Sequence, residues 1–113
     1  MIKVKYRYSD YSLEQLREEL GVLKEKVQKA EQLGKLSQVA INERKIQIVS
    51  SYMLNPADYK SGAIHELSND PGHKFKIDYV NGVIAWGHRI NLVGEVYEEQ
   101  EALPIAMLAD VVE

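Results

Sequence analysis

The sequence predicts an α+β protein, with an N-terminal antiparallel helical hairpin packed on a small C-terminal SH3-like β-barrel. Three observations carry this. Apolar residues recur at helical spacing between Leu13 and Ala30. Asn81-Gly82 separates two runs of alternating apolar residues. Near Asn55-Pro56 the composition changes, and five of the seven glycines and all three prolines follow it. A chain of 113 residues, 45% hydrophobic, fits one compact domain or two very small ones. The boundaries drawn are 1–57 for an N-terminal strand or tail plus the helical hairpin, and 58–113 for the barrel half.

At the N-terminus, Ile2, Val4, Tyr6 and Tyr8 alternate with Lys3, Lys5 and Arg7, a strand pattern that could extend a sheet or pair with a second chain. A frayed end fits residues 1–8 equally well. The first helix is the clearest element. Ser12 followed by Gln15 has the form of a capping box. Leu13, Leu16, Leu20, Leu23, Val27 and Ala30 then make an a/d seam that requires a helical partner. Acids such as Glu14 and Glu18 come early and lysines such as Lys26 and Lys29 come late, which suits the helix dipole. Gly34 is placed to end the helix in a left-handed cap.

A second helix is expected from about Leu36 to Leu54, where Pro56 disfavours helical geometry at Asn55. Val39, Ile46, Val49 and Met53 form one stripe. Ile41, Ile48 and Tyr52 form a second, offered either to the C-terminal half or to a homodimer. Arg44, Gln47 and Ser51 fall on the side expected to face water.

In the second half, Ala63–Leu67 reads as a short strand and Ser68–Gly72 as a turn cluster. Phe75–Val80 and Val83–Ile90 flank Asn81-Gly82, which predicts a type I′ hairpin. The implied register sets Val80 against Val83, Tyr79 against Ile84, Ile77 against Trp86 and Phe75 against His88. Phe75, Ile77, Tyr79, Ile84, Trp86 and His88 would then share the core face. Lys74, Lys76, Asp78, Ala85, Gly87 and Arg89 would share the outer one. Ala102–Ile105 is an expected edge strand, since Pro104 cannot donate to a ladder. Ala106–Val111 reads as a helical turn or a strand.

Several function classes are excluded by residue type. With no cysteine, disulfides, thiolate nucleophiles and cysteine-bound metals are impossible. No apolar run is long enough for a membrane span and no secretory signal is visible, so the cytoplasm is the expected location. His65, His73 and His88 lack metal-pair spacing, and no phosphate loop, nucleophile elbow or dinucleotide fingerprint occurs. Neither an enzyme, a cofactor nor a metal site is expected.

The segments Lys29–Lys35, Glu43–Ile46, Tyr52–Tyr59, Tyr79–Gly87 and Glu101–Ile105, in that order, resemble the YfhH-like family, a group of uncharacterised proteins from Bacillus-type bacteria. The resemblance spans roughly residues 8–108. It implies a helical hairpin followed by an SH3-like barrel, together with a label as a transcriptional regulator. It carries no catalytic residue.

Charge is uneven along the chain. Residues 1–60 hold 11 Lys/Arg against 8 Asp/Glu, and residues 61–113 hold 3 against 9. All three cations of the second half, Lys74, Lys76 and Arg89, fall on the predicted outer face. Lys74 would sit opposite Arg89, a repulsion that an anionic ligand would relieve. Screening by solvent, or by the acidic segment 95–101 folding over the face, is the alternative. Arg44 and Lys45 form a weaker basic pair on the second helix. A helix-turn-helix is disfavoured because both helices are too long. The sequence therefore points to a binding protein that touches nucleic acid, or a nucleic-acid-bound partner, through Lys74, Lys76, Arg89, Arg44 and Lys45. The alternative is a protein–protein adaptor or a homodimer formed through Ile41, Ile48 and Tyr52.

Overall fold

A computed structural model describes residues 7–112. The element order is two helices followed by five strands, an α+β arrangement. The chain divides into two compact units, residues 1–53 and 54–113. The strand expected at residues 2–8 falls mainly outside the described residues, and Tyr8–Asp10 forms a 3-10 turn instead.

In the first unit, helix α1 spans Leu13–Gln32. The capping box is present: Gln15 N–H donates to Ser12 Oγ at 3.2 Å, and Ser12 N–H donates to Gln15 Oε1 at 2.8 Å. The other end is a Schellman cap. Lys35 N–H reaches Ala30 O at 2.9 Å, Gly34 N–H reaches Glu31 O at 3.1 Å, and Gly34 takes φ 69°. Helix α2, Leu36–Ser51, returns after this short turn. Leu16 and Leu23 of α1 pack on Val49 of α2, with Tyr8, Tyr11, Leu20, Ile46, Tyr52 and Met53 around them. The a/d seam therefore finds its partner within the chain. Tyr52 belongs to this cluster and meets the Tyr8 ring. Ile41 remains exposed and Ile48 half-buried. Ser51, expected in water, is fully buried, and its hydroxyl donates to Gln47 O at 2.8 Å.

In the second unit, β1 is Ile64–Leu67, β2 Asp70–Asn81, β3 Ile84–Asn91, β4 Glu101–Pro104 and β5 Leu108–Val111. They form one antiparallel sheet in the order β4-β3-β2-β1-β5. β4 and β5 are its two edges and do not pair with each other, so the sheet is open and the expected closed barrel is not seen. The predicted Ser68–Gly72 loop contracts to Ser68-Asn69, because β2 already begins at Asp70 and takes up the surplus residues in a bulge opposite Glu66/Leu67. Ile105–Met107 is a 3-10 turn between β4 and β5.

The central hairpin departs from the predicted register at two places. First, Asn81 pairs with Ile84, so the turn residues are Gly82-Val83. A type II′ turn requires positive φ only at its first central residue. Gly82 supplies it at 62°, while no other residue type in the described chain has positive φ. Val83 turns inward, is buried, and accepts Ile105 N–H at 2.9 Å. Second, a bulge at Asp78 lets Tyr79 pair with Trp86 while Ile77 pairs with Gly87. Beyond the bulge the net slip is one residue, and a one-residue slip moves every side chain of β3 to the other side.

The core face therefore holds Phe75 and Ile77 of β2 opposite Arg89 and Gly87, with Ala85 and Leu103 farther along. Trp86 and His88, predicted inside, lie on the opposite face with Lys74, Lys76 and Ile90. Ala85 and Gly87, predicted as an exposed shelf, are buried. Gly87 is needed there. A Cβ at this position would lie 2.0 Å from Lys76 O and 2.9 Å from Phe75 Cε2.

Candidate functional site

The outer face of the central hairpin is built from cross-strand pairs. Lys74 faces Ile90, Lys76 faces His88, and Tyr79 faces Trp86. On the other side of β2, Lys76 faces Ile64 and Lys74 faces Glu66. Lysines, isoleucines, His88 and the carboxylate of Glu66 thus share this side across three strands. The Tyr79 and Trp86 rings stack with centroids 6.1 Å apart and planes 15° apart, and Tyr79 is half-exposed.

One end of this face is an open groove of about 390 Å³, lined by Ile64, Lys74, Lys76, Ile90, Val96 and Val112 among others. Leu92 and Gly94 close it from the loop after β3. That loop is tightly held. Asn91 Oδ1 accepts Val93 N–H at 3.1 Å and Glu95 N–H at 2.9 Å, and Asn91 N–H donates to Glu95 O at 3.0 Å. Gly94 at φ 87° completes a three-residue connection with its glycine in the left-handed position. Leu92 and Val93 are both 78% exposed at its tip.

Arg89 and two histidines of the sheet are engaged. Arg89, on the core face, donates from NH1 to Asp70 Oδ2 and from Nε to Glu101 Oε2, each at 2.7 Å. His73 Nδ1 lies 2.8 Å from Asp70 Oδ2 without good hydrogen-bond direction, so the contact is electrostatic more than directional. His73 Nε2 meets Tyr97 Oη at 2.9 Å. His88 Nε2 lies 3.0 Å from Asp78 Oδ2, and His88 Nδ1 donates to Tyr97 O at 2.8 Å. The two histidines thereby pin Tyr97 and the acidic segment around it against the edge of β3. Asp70 titrates below its usual value of 3.8, first because of the close approach of the His73 imidazole, with Gly72 N–H and the Arg89 charge adding to the effect.

Lys74 and Lys76 are different. Both are exposed, and among the described residues neither has a carboxylate within ion-pair distance. The acidic segment neutralises Arg89 through Glu101 and forms no ion pair with either lysine.

The predicted basic trio is therefore divided: Lys74 and Lys76 lie on one side of the ribbon and Arg89 on the other. The expected Lys74–Arg89 repulsion does not arise, because Lys74 faces Ile90. Arg44 and Lys45 are exposed on α2, in the other unit. The Glu101–Arg89 pair accords with the alternative in which the acidic segment 95–101 folds over a cation. The contacts among Asp70, His73, Asp78, His88 and Tyr97 have no sequence signal beyond the i, i+3 spacing of Asp70 and His73, since the rest join distant segments.

His65 is buried within the second unit. Its Nδ1 donates to Ala109 O at 2.9 Å and its ring stacks on Tyr59, whose hydroxyl titrates above the usual value because of burial and then of Asp58. Among the described residues no three His, Asp or Glu side chains converge to hold a metal ion, and no helix is long and apolar enough to cross a membrane.

Residues 6–109 match the family described as "Protein of unknown function (DUF1811)". The uncharacterised protein YfhH of Bacillus subtilis (strain 168) is 40% identical over 104 residues, which cover 92% of this chain and 95% of that protein. On both grounds the chain belongs to the DUF1811 family, the YfhH-like group that its sequence blocks resemble.

Proposed function

We propose that the chain is a non-enzymatic binding module that holds an anionic protein partner on the Lys74–Lys76 side of its sheet and regulates through that partner. One observation carries this reading. Arg89 is held by two carboxylates, whereas among the described residues neither Lys74 nor Lys76 forms an ion pair, although Glu66 stands across the strand from Lys74. Both lysines line a groove with Ile64, Ile90, Val96 and Val112, so apolar side chains lie within reach of a ligand held by the two charges. A chain with no cysteine suits the reducing cytoplasm. Five antiparallel strands with a 3-10 turn leading into the last suit an SH3-like module, a scaffold on which such sites are placed by local residues.

Direct nucleic-acid binding has less support on this face, because two lysines make a weak phosphate track and nucleic-acid domains ordinarily carry a basic stripe. A regulator that meets nucleic acid only through a bound protein is consistent with both the lysine pair and the net charge of −3. Self-association through Ile41, Ile48 and Tyr52 is weakened as a reading, since Tyr52 is used within its own hairpin.

The test is capture from a native lysate with the tagged full chain, run with and without nuclease. The reading expects a protein retained in both conditions and lost from Lys74→Glu/Lys76→Glu. Retention that disappears on nuclease treatment would replace it with direct nucleic-acid binding.

A further inference from the structure

Resting on that reading, we propose that the groove receives a short acidic, amphipathic peptide segment of the partner, with carboxylates on Lys74 and Lys76 and apolar side chains between Ile90 and Leu92. The groove's chemistry is mixed. Ile64 and His88 flank Lys76 across the sheet, and Ile90 and Glu66 flank Lys74, so each lysine has one apolar neighbour in register. Lys74 and Lys76 are two residues apart on one strand, which sets their side chains roughly 6.6 Å apart along the sheet. Their aliphatic stems cover apolar floor while their charged ends stay wet. A volume of about 390 Å³ accommodates a few side chains and little more.

The rim points the same way. Leu92 and Val93 are exposed at the tip of a loop held by three hydrogen bonds to Asn91, so they are presented rather than left loose. A purely anionic ligand would leave them unused. Charge at the groove selects for a short ligand. Glu66 is exposed across the strand from Lys74, and Glu95 is exposed between the lining residues Gly94 and Val96, so a long polyanion would meet carboxylates at the groove. A segment with two or three carboxylates reaches the lysines without doing so.

Trp86 is the only tryptophan and lies on the same side of the sheet, so its fluorescence is a built-in reporter. The experiment titrates the full chain with a synthetic peptide of alternating leucine and glutamate. Parallel titrations use oligoglutamate, an oligothymidylate and phosphatidylserine vesicles. The expected result is saturable binding of the leucine–glutamate peptide. That binding should weaken by about tenfold or more in Lys74→Ala/Lys76→Ala, and by a similar factor in Leu92→Ser/Val93→Ser. All four side chains are exposed, so both variants should keep the wild-type circular dichroism and melting temperature. Equal binding of oligoglutamate, or indifference to the Leu92/Val93 variant, would overturn the proposal. Lysine-dependent binding of oligothymidylate or vesicles without the peptide would overturn the peptide and leave an anion-binding face standing. No binding of any anionic probe would remove both.

Discussion

Gly87 and Gly21 are opposite cases of one residue type. Gly87 lies where a methyl group would strike the Lys76 carbonyl and the Phe75 ring, whereas Gly21 is exposed on α1 with nothing within 4 Å of an added Cβ. Gly87→Ala should lower stability by at least about 2 kcal/mol through overpacking. Gly21→Ala should raise it by up to about 1 kcal/mol, because alanine is the better helix former. Urea denaturation of the two variants checks both signs. Asp70 supplies a pH prediction. Its carboxyl is held below its unfolded value, so its contacts add stability above that value and lose it as pH falls through the lowered native one. The urea midpoint should therefore fall from about pH 4 downward, and less steeply in Asp70→Asn. An unchanged acid limb in that variant would show that the Asp70–His73–Arg89 contacts are too exposed to matter.

Elements whose signals are local were legible in the sequence. Ser12 and Gln15 announce the start of α1, Gly34 its end, and the Leu16–Leu23 seam its partner, because each depends on residues within one or two turns. Ser12→Ala should cost about 1 kcal/mol, read as a lower urea midpoint, since two backbone donors at the helix start lose their arrangement. The hairpin was legible as a hairpin, but its register was not. Asn81-Gly82 and Gly82-Val83 are both acceptable turns, and the choice rests on Val83 being drawn inward and bonded to Ile105, a residue far along the chain. The bulge at Asp78 has no sequence mark either. It is held by His88 and Gln100, which approach from β3 and from the segment before β4. Two shifts, neither visible locally, were enough to exchange Arg89 for Trp86 between faces. The alternation of Phe75 and Ile77 was still read correctly, because it belongs to one strand.

At the scale of the whole molecule, charge is what distinguishes the candidate face. The second half carries a strong acidic surplus and its own acids take up Arg89, His73 and His88, yet Lys74 and Lys76 form no ion pair among the described residues. Reversing the two kinds of cation should therefore have different consequences. Lys76→Glu should leave the thermal midpoint near wild type and abolish partner capture. Arg89→Glu should instead lower the midpoint, because it sets a third carboxylate against Asp70 and Glu101, at a cost of about 1–3 kcal/mol. Equal thermal midpoints for the two variants would mean that Arg89 is as free as the lysines.

All of this depends on which residues share a side of the β2–β3 ribbon, and a chain without cysteine permits a clean cross-linking measurement. Lys76→Cys/His88→Cys places two thiols directly opposite each other on one face, whereas Lys74→Cys/Arg89→Cys places them on opposite faces, where a disulfide cannot close. Rapid intramolecular oxidation is expected for the first pair and persistence of both free thiols for the second. Ready cross-linking of positions 74 and 89, with 76 and 88 remaining reduced, would restore the simpler register and contradict the face described here.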